Sequence, residues 1–357
     1  MVQKIALFNH KGGVSKTTTA FNLGWMLASK GKTVILADTD PQCNLTGVSL
    51  GEGTEDDEKR IETIYNTGSN IKTGLAPAFE AQPRAIEAID CIPIIGQERL
   101  FILPGHVGLA EYEVTLGIAQ ELSGSIAALK NLPGALTDLF NKTALKYNAD
   151  YIIIDMSPSL GSINQNLLMT SNFFLVPTTA DFFSLMAIDS LTKVMPKWHA
   201  WAKKASSLPI LKDANYPFPD VNLSFLGTIV QNYRIIRGKE TAAFQIWIEK
   251  IQNTVSNKLA PVLEQNQMLL EKTVYRSQGI TEDNYTLTKI SNFNSLIALS
   301  QEHRTPVYAL TPEQLGQTGV VLQNNQNKQK EFGETFSQLA EKIIGLTTSH
   351  AVSTQSV

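Results

Sequence analysis

The chain has few cysteines and almost no net charge, and each shortage excludes a class of protein. Its 357 residues contain two cysteines, Cys43 and Cys91, and they form no C-x-x-C pair. Neither a disulfide framework nor a cysteine-based zinc site is therefore expected. The two cysteines should instead be small buried hydrophobic residues. The net charge of −3 predicts no polyanion-binding surface over the whole chain, although a local basic face remains compatible with it.

Long apolar runs are also absent. No stretch of about 18 apolar residues occurs, so no membrane-spanning helix and no membrane association are expected. The N-terminus, where Lys4 is followed at once by a strand-like run, lacks the layout of a signal peptide, which predicts a cytoplasmic protein. With 43% hydrophobic and 18% charged residues, the composition is typical of a globular protein with one large domain or two small ones.

The most informative positive feature is the segment 9–18, N-H-K-G-G-V-S-K-T-T, between the apolar run 5–8 and the helix-like segment 19–30. A strand that breaks into a glycine turn and then starts a helix leaves unpaired backbone N–H groups pointing at one spot. The positive end of the helix dipole lies behind them. This arrangement predicts a phosphate-binding loop, and a triphosphate is the expected ligand.

Four residues of this loop have individual roles in that interpretation. Gly12 and Gly13 let the backbone approach the phosphates closely, and Lys16 is placed to reach the β and γ oxygens. The Thr17 hydroxyl is placed to ligate Mg²⁺. The alternative is a glycine turn that only joins a strand to a helix, and the flanking pattern disfavours it.

The common pattern G-x-x-x-x-G-K-[ST] does not fit, because His10 and Ser15 occupy its glycine positions. The loop matches K-G-G-x-x-K-T instead, which resembles the deviant Walker A loop of the ParA/MinD family of ATPases. The resemblance implies that the extra lysine, Lys11, crosses a dimer interface to the nucleotide of the partner. It also implies a set of residues around the nucleotide: Lys11, Gly12, Gly13, Val14, Ser15, Lys16, Thr17 and Thr18.

A second apolar run, 33–37, ends in the segment D-T-D-P-Q, with carboxylates at Asp38 and Asp40. Residues i and i+2 of an extended segment face the same side. Near a phosphate loop they would bind Mg²⁺ through water or orient the attacking water, although an ordinary strand-to-turn junction has the same residues. The order matches the ParA/MinD family. The resemblance implies that Asp40 is required for hydrolysis, by positioning the lytic water and contacting the metal through water, while Asp38 supports the switch.

The third landmark is the run of isoleucines 152–154 followed by Asp155. Such a run is typical of a strand buried on both faces of a parallel sheet, and ligands bind at the carboxyl edge of such sheets. Asp155 is therefore interpreted as the Walker B acid of the Mg²⁺ shell, although any buried strand can end in Asp. The next segment, S-P-S-L-G, resembles the family's P-P-S-L-G switch, whose support residues here are Ser157, Pro158 and Gly161.

The base and DNA contacts depend more heavily on the resemblance. It implies that Asn232, after the strand predicted at 221–230, reads the adenine edge, although a strand-end turn residue is an equally good interpretation. Pro306 occupies the place of a loop near the base. Two basic clusters indicate either nonspecific DNA binding or merely a solvated face. The first lies on the predicted helix 183–204, where Lys193, Lys197 and Lys204 are interleaved with Trp198 and Trp201. The second, Arg234 and Arg237, follows Asn232.

The predicted architecture is a doubly wound α/β domain over residues 1–346, with a mostly parallel sheet and helices on both faces. Insertions near 52–95, 203–220 and 256–325 are expected on surface loops, and 347–357 as a disordered polar tail. The apolar stripe in 330–344 predicts a helix packed on the core rather than on a membrane. Because the Walker loop begins near the N-terminus, a helix-turn-helix extension, and with it operator binding, is not expected.

The predicted function is an ATP- and Mg²⁺-dependent dimerising ATPase that acts as a switch in plasmid or chromosome partitioning. The resemblance implies a homodimer, nonspecific DNA, a nucleoid location and a DNA-bound adaptor that stimulates hydrolysis. The alternative is the same switch acting on a protein cargo or defence complex without DNA segregation. A redox or ligase enzyme like the nitrogenase iron protein is disfavoured, because no cysteine follows the Walker B strand, where Met156 stands.

Overall fold

The protein is described from a computed structural model, which covers residues 2–51, 54–122, 126–233, 235–236, 239–240 and 242–354. Eight of the strands in these ranges form one sheet, in the order β10-β7-β6-β1-β5-β2-β4-β3, and the other two form a short hairpin. The strands are β1 (Gln3–Leu7), β2 (Val34–Asp38), β3 (Ile92–Pro93), β4 (Leu100–Leu103), β5 (Tyr151–Asp155), β6 (Phe173–Thr179), β7 (Ser224–Tyr233), β8 (Ile235–Ile236), β9 (Lys239–Glu240) and β10 (Thr286–Ser291).

Helices connect these strands and cover the sheet. They are α1 (Lys16–Ser29), α2 (Asn44–Leu50), α3 (Glu55–Thr67), α4 (Ile71–Phe79), α5 (Tyr112–Glu121), α6 (Leu132–Tyr147), α7 (Ser162–Met169), α8 (Phe182–Ser207), α9 (Pro209–Lys212), α10 (Ala242–Thr254), α11 (Ala260–Gln265), α12 (Lys272–Ser277), α13 (Leu296–Glu302), α14 (Pro312–Leu315) and α15 (Gly319–Thr354). A π-helical turn, Val255–Leu259, links α10 to α11.

The middle of the sheet confirms the predicted parallel α/β architecture. Strand β5 lies between β1 and β2 and pairs with both in parallel, so that Asp155 is level with Leu7 on one side and Asp38 on the other. All five residues of β5 are buried, as expected for an isoleucine run in a sheet covered on both faces. The paired strands of the large sheet are parallel except β3 and β4. The loops after β1, β2, β5 and β6 therefore meet at one edge.

The segment 256–325 differs from the surface insertion expected from the sequence. It contributes β10, which pairs with β7 and forms one edge of the eight-stranded sheet. Leu287 and Ile290 are buried while their neighbours are partly exposed, because only one part of this edge strand faces the core. This strand was not predicted, because its sequence, T-L-T-K-I-S, is short and mostly polar. The segment 52–95 is also folded, into α3, α4 and β3.

The C-terminal helix confirms the predicted packing of residues 330–344 and corrects the predicted start of the tail. Phe332, Phe336 and Leu339 are buried against the core. Helix α15 continues to Thr354, past residue 347, where a disordered tail was expected. Thr347 is only 1% exposed, because its hydroxyl hydrogen bonds with that of Tyr151 at 2.8 Å. No helix within the described ranges is long and apolar enough to span a membrane.

Candidate functional site

The phosphate loop joins the end of β1 to the start of α1. Gly13 (φ 71°) and Ser15 (φ 57°) both have left-handed backbone conformations, as is typical of loops whose successive N–H groups form an anion-binding concavity. This conformation favours glycine, so Ser15 adopts a strained backbone where the ParA/MinD loop usually has glycine. The loop therefore has the anion-binding geometry predicted from the sequence, ahead of the N-terminus of a 14-residue helix.

Lys16 lies at the base of this loop and is buried. Its ammonium donates to the backbone oxygen of Asn9 at 3.0 Å. Burial lowers the pKa of Lys16, and the negative charges of Asp155 and Asp40 oppose that effect. Asn9 is itself fixed, since its Nδ2 donates to Pro177 O at 2.8 Å. A phosphate group would supply the negative charge that favours the protonated amine here.

Thr17 and Asp155, the two predicted metal ligands, are in direct contact. The Thr17 hydroxyl donates to Asp155 Oδ2 at 2.6 Å, and Asp155 is 1% exposed. Burial raises the pKa of Asp155 to about 7. Its other oxygen, Oδ1, is buried and has no hydrogen-bond partner among the residues that the structure describes. A hydroxyl and a free carboxylate oxygen beside a phosphate loop suit Mg²⁺, which is commonly held by one or two carboxylates together with substrate phosphates.

Asp38 and Asp40 have different surroundings. Asp38 is fully buried, and its Oδ2 accepts hydrogen bonds from the backbone N–H and the hydroxyl of Thr46, at 2.8 and 2.7 Å. Burial raises the pKa of Asp38 to about 6. Asp40 retains some exposure, and its Oδ1 accepts from Gln42 N at 3.0 Å. Asp40 is thus the aspartate of the pair with a freer carboxylate, whereas Asp38 holds the turn that carries it.

The switch segment after β5 lies against the phosphate loop. A Cβ placed on Gly12 would lie 3.9 Å from Pro158, so the two loops are neighbours. Asn164 on α7 ties the segment down by donating to Ser157 O and Ser159 O, at 2.8 and 2.9 Å.

The other end of the segment is held by α5. The carboxylate of Glu113 accepts from the backbone N–H and the hydroxyl of Ser162, and a side chain at Gly161 would collide with it. Neither Asn164 nor Glu113 was predicted from the sequence, because each acts through contacts that need the folded chain.

Lys11 makes its contacts within its own chain. Its ammonium donates to Thr179 Oγ1 at 2.7 Å and to Ser184 Oγ at 3.1 Å, and it forms an ion pair with Asp181 at 2.5 Å. Asp181 is also the N-cap of α8, where its Oδ1 accepts from the Ser184 backbone N–H at 2.9 Å. The junction of β6 and α8 therefore provides a socket for this ammonium, made of Thr179, Asp181 and Ser184.

The residues predicted near the base are less well defined. Asn232 belongs to β7, but its side chain is outside the description, as are Arg234 and Arg237 entirely. Pro306 is buried in the loop between α13 and α14, two residues before Tyr308, whose hydroxyl donates to Asn22 O of α1 at 2.7 Å. The loop after β10 lies beside the end of β7, where Asn292 N donates to Tyr233 O at 3.1 Å. The sequence did not indicate this loop, because β10 was not recognised.

The lysines Lys193, Lys197 and Lys204 are exposed on α8, as predicted. The tryptophans expected to interleave with them are turned inward, which corrects that part of the prediction. Trp198 packs on Phe8 with ring centroids 5.7 Å apart, and Trp201 Nε1 donates to Gln120 O. Both rings belong to the contact between α8 and the sheet or its neighbouring helices, so neither tryptophan lies among the exposed lysines.

Comparison with known proteins gives consistent matches. The model of an AAA domain family matches residues 2–207. The sporulation initiation inhibitor protein Soj of Bacillus subtilis is 35% identical over 187 residues, which cover 52% of this chain and 62% of Soj. The chromosome partitioning protein ParA of Caulobacter vibrioides is 29% identical over 195 residues, 54% of this chain and 62% of that protein. The chain thus spans less than two thirds of the length of these two relatives.

A solved structure extends the similarity of fold to nearly the whole chain. The structure of pNOB8 ParA bound to nonspecific DNA is 18% identical and has a TM-score of 0.56. The match covers 98% of this chain and 99% of the other. At this identity the match concerns the fold alone, and it includes the region beyond residue 207 that the family model leaves unmatched.

Proposed function

Because the chain belongs to the ParA/MinD family of P-loop ATPases, we propose that ATP binding and hydrolysis drive its dimerisation as a switch in plasmid or chromosome partitioning. The observation that carries the proposal is that two lysines of the phosphate loop have different surroundings. Lys16 lies beside Thr17 and Asp155, which suit a nucleotide with its metal, whereas the Lys11 ammonium is held at Thr179. The Lys11 ammonium, which binds the junction of β6 and α8, is therefore available for the nucleotide site of a partner subunit.

The proposed cycle gives each residue one task. The loop N–H groups and Lys16 bind the β and γ phosphates, and Mg²⁺ held by Thr17 and Asp155 would neutralise phosphate charge during transfer. Asp40 orients the lytic water for in-line attack, and Lys11 stabilises the phosphates across the dimer interface. Positioning and charge neutralisation are the main requirements of phosphoryl transfer, so this residue set suits the reaction.

Nonspecific DNA binding by the ATP dimer is part of the proposal. It is supported by the exposed Lys193, Lys197 and Lys204 on one helix and by the fold shared with pNOB8 ParA, which was solved bound to nonspecific DNA. The dimer would then associate with the nucleoid. Binding of duplex DNA with ATP and Mg²⁺ should weaken steeply as salt rises. Absence of binding at low salt would remove DNA from the proposal and leave the ATPase switch.

A protein cargo without DNA segregation is the second candidate function. Helix α5 favours a protein partner of some kind, because Val114 and Ile118 are 70% and 46% exposed on successive turns, beside Glu113, which holds the switch segment. ATPase activity measured with and without DNA, and with the product of a neighbouring gene, separates the two candidates. Stimulation by the protein alone would favour the cargo function.

Two substitutions test the switch itself. Lys11→Ala should retain nucleotide binding but lose ATP-dependent dimerisation and hydrolysis, measured by light scattering and phosphate release. Normal turnover in this variant would contradict a contribution of Lys11 to the partner's site.

Asp40→Ala should bind ATP and accumulate as a dimer, because the lytic water is no longer oriented. Light scattering with ATP and Mg²⁺ should show the dimer persisting where the unsubstituted protein returns to monomer. A purely monomeric Asp40→Ala protein would refute the assignment.

A further inference from the structure

A cavity of about 870 Å³ lies at the edge of the sheet opposite the phosphate loop. It is bordered by α6 and by the beginnings of β1, β5, β6 and β7. With about 3.3 Å per strand residue, Lys4 in this cavity is roughly 16 Å from Asn9 of the phosphate loop. The cavity is therefore separate from the nucleotide site, and its size is typical of pockets that hold small metabolites.

Lys4 is the unusual member of the lining. It is only 7% exposed, and its ammonium donates to the uncharged oxygens Thr137 Oγ1 and Asn141 Oδ1, at 2.5 and 3.3 Å. No carboxylate within the described ranges pairs with it, and burial lowers its pKa to about 8. An ammonium has three N–H donors, so one remains beyond these two bonds. A buried positive charge without a counter-ion is unfavourable, and it is a feature often retained for binding.

The rest of the lining is mostly uncharged and rich in amides. Asn141, Asn148, Asn172 and Asn222 all border the cavity. Asn141 Oδ1 accepts from the Lys4 ammonium, whereas Asn172 Oδ1 accepts from the Lys4 backbone N–H at 2.9 Å, so two of these amides are fixed by Lys4. Two carboxylates, Asp150 and Asp220, complete the lining and disfavour a multiply charged anion such as phosphate. Lys4 is therefore the one cation of the lining beside which a single negative charge fits, and the amides offer hydrogen bonds to the rest of a ligand.

We propose that this cavity binds a small organic acid, whose single carboxylate pairs with the Lys4 ammonium and whose hydroxyl or amide groups hydrogen bond to the surrounding asparagines. The ligand would supply the missing counter-ion and the partner of the remaining N–H. Ligand binding in this cavity does not depend on the ATPase cycle, so this proposal can be tested independently of the proposed function.

The test is thermal unfolding of the full chain with acetate, lactate, gluconate or glutamate, each against sodium chloride at the same ionic strength. A ligand of the native state raises the Tm in proportion to the logarithm of its concentration above Kd. At least one carboxylate should raise the Tm in this way, and a hydroxylated or amino acid should do so at lower concentration than acetate. Inorganic phosphate can also bind the phosphate loop, so only the part of its shift that depends on Lys4 is compared, and that part should be smaller than the shift with the carboxylates.

Substitutions locate the effect. Lys4→Met removes the charge but keeps an unbranched buried side chain, and it should abolish the carboxylate-dependent shift. Lys146→Met is the matched control, because Lys146 lies on α6, the helix that borders the cavity, but does not line the cavity itself. Its ammonium forms an exposed ion pair with Asp90. Asn222→Trp should block the cavity and weaken the shift without touching the ammonium.

Three results would overturn the proposal. The first is that no carboxylate raises the Tm above the chloride control. The second is that the shift persists in Lys4→Met. The third is that phosphate causes a shift as large as that of the carboxylates and that Lys4→Met removes it too, since the cavity would then be a general anion site. Because Lys4→Met is expected to fold, loss of its shift with retained cooperative unfolding and ATP binding distinguishes a lost site from a lost fold.

Discussion

The contact between Lys11 and Asp181 would set a cost on the proposed ATP-dependent dimerisation. If Lys11 serves the partner's nucleotide, each subunit must first withdraw it from the socket formed by Thr179, Asp181 and Ser184. Asp181→Asn removes the negative charge of the socket but retains the helix cap, since Asn and Asp are equivalent N-cap residues. We therefore expect this variant to dimerise more tightly than the unsubstituted protein, while its thermal stability falls by no more than the small contribution of this ion pair.

The size of the effect follows from the exposure of the pair. The Lys11 and Asp181 side chains are 21% and 40% exposed, so solvent screens their attraction. Ion pairs of this kind contribute about 0.2–1 kcal/mol. Two lysines are released per dimer, which doubles the gain to roughly 0.4–2 kcal/mol and tightens the dimer dissociation constant by about twofold to thirtyfold.

Sedimentation velocity with Mg²⁺ and a non-hydrolysable ATP analogue measures that constant directly. Asp189→Asn is the matched control, because Asp189 lies on the same helix α8 and forms a comparably exposed ion pair with Lys258. The control should dimerise like the unsubstituted protein. An Asp181→Asn protein that is folded but dimerises no more tightly than the control would refute the withdrawal of Lys11 from its socket.

Two further predictions concern stability. Unfolded lysine titrates near 10.5, whereas the pKa of buried Lys4 is about 8, so the unfolded state binds more protons between these pH values and native stability rises with pH there. Urea denaturation should therefore show Lys4→Met stabilised by up to about 3 kcal/mol at pH 7, and by much less at pH 10.5. Thr46→Val removes a buried hydrogen bond to Asp38 and one from Gly105 N, which should cost about 1–3 kcal/mol in the same assay at pH 7.

The sequence predicted those parts of the site that are local in the chain. A strand, a glycine turn and a helix within 27 residues define the phosphate loop, and the parallel arrangement of β1, β2 and β5 follows from short apolar runs that each end in a loop at the same edge. Thr17 and Asp155 could be paired because both belong to motifs of one family. These inferences need only periodicity, turn chemistry and the resemblance.

The parts that were missed depend on contacts between distant segments. The Asp181 carboxylate that binds Lys11 lies 170 residues further along the chain and resembles any helix cap in the sequence. Strand β10 has a polar sequence, because an edge strand buries few of its side chains. Glu113 could not be distinguished from a solvated residue of an amphipathic helix until α5 and α7 were seen together.

Asn9 forms hydrogen bonds with both Lys16 and Lys11, so it links the two lysines of the proposed switch. Its backbone oxygen accepts from Lys16, its Oδ1 accepts from the Lys11 backbone N–H at 2.9 Å, and its Nδ2 donates to Pro177 O, two residues before Thr179 of the socket. A triphosphate that draws Lys16 away from Asn9 therefore acts on the residue that holds both Lys11 and the end of β6. Hydrogen bonds through Asn9 therefore link Lys16 to the backbone of Lys11 and to the end of β6 that leads to Thr179 of the socket.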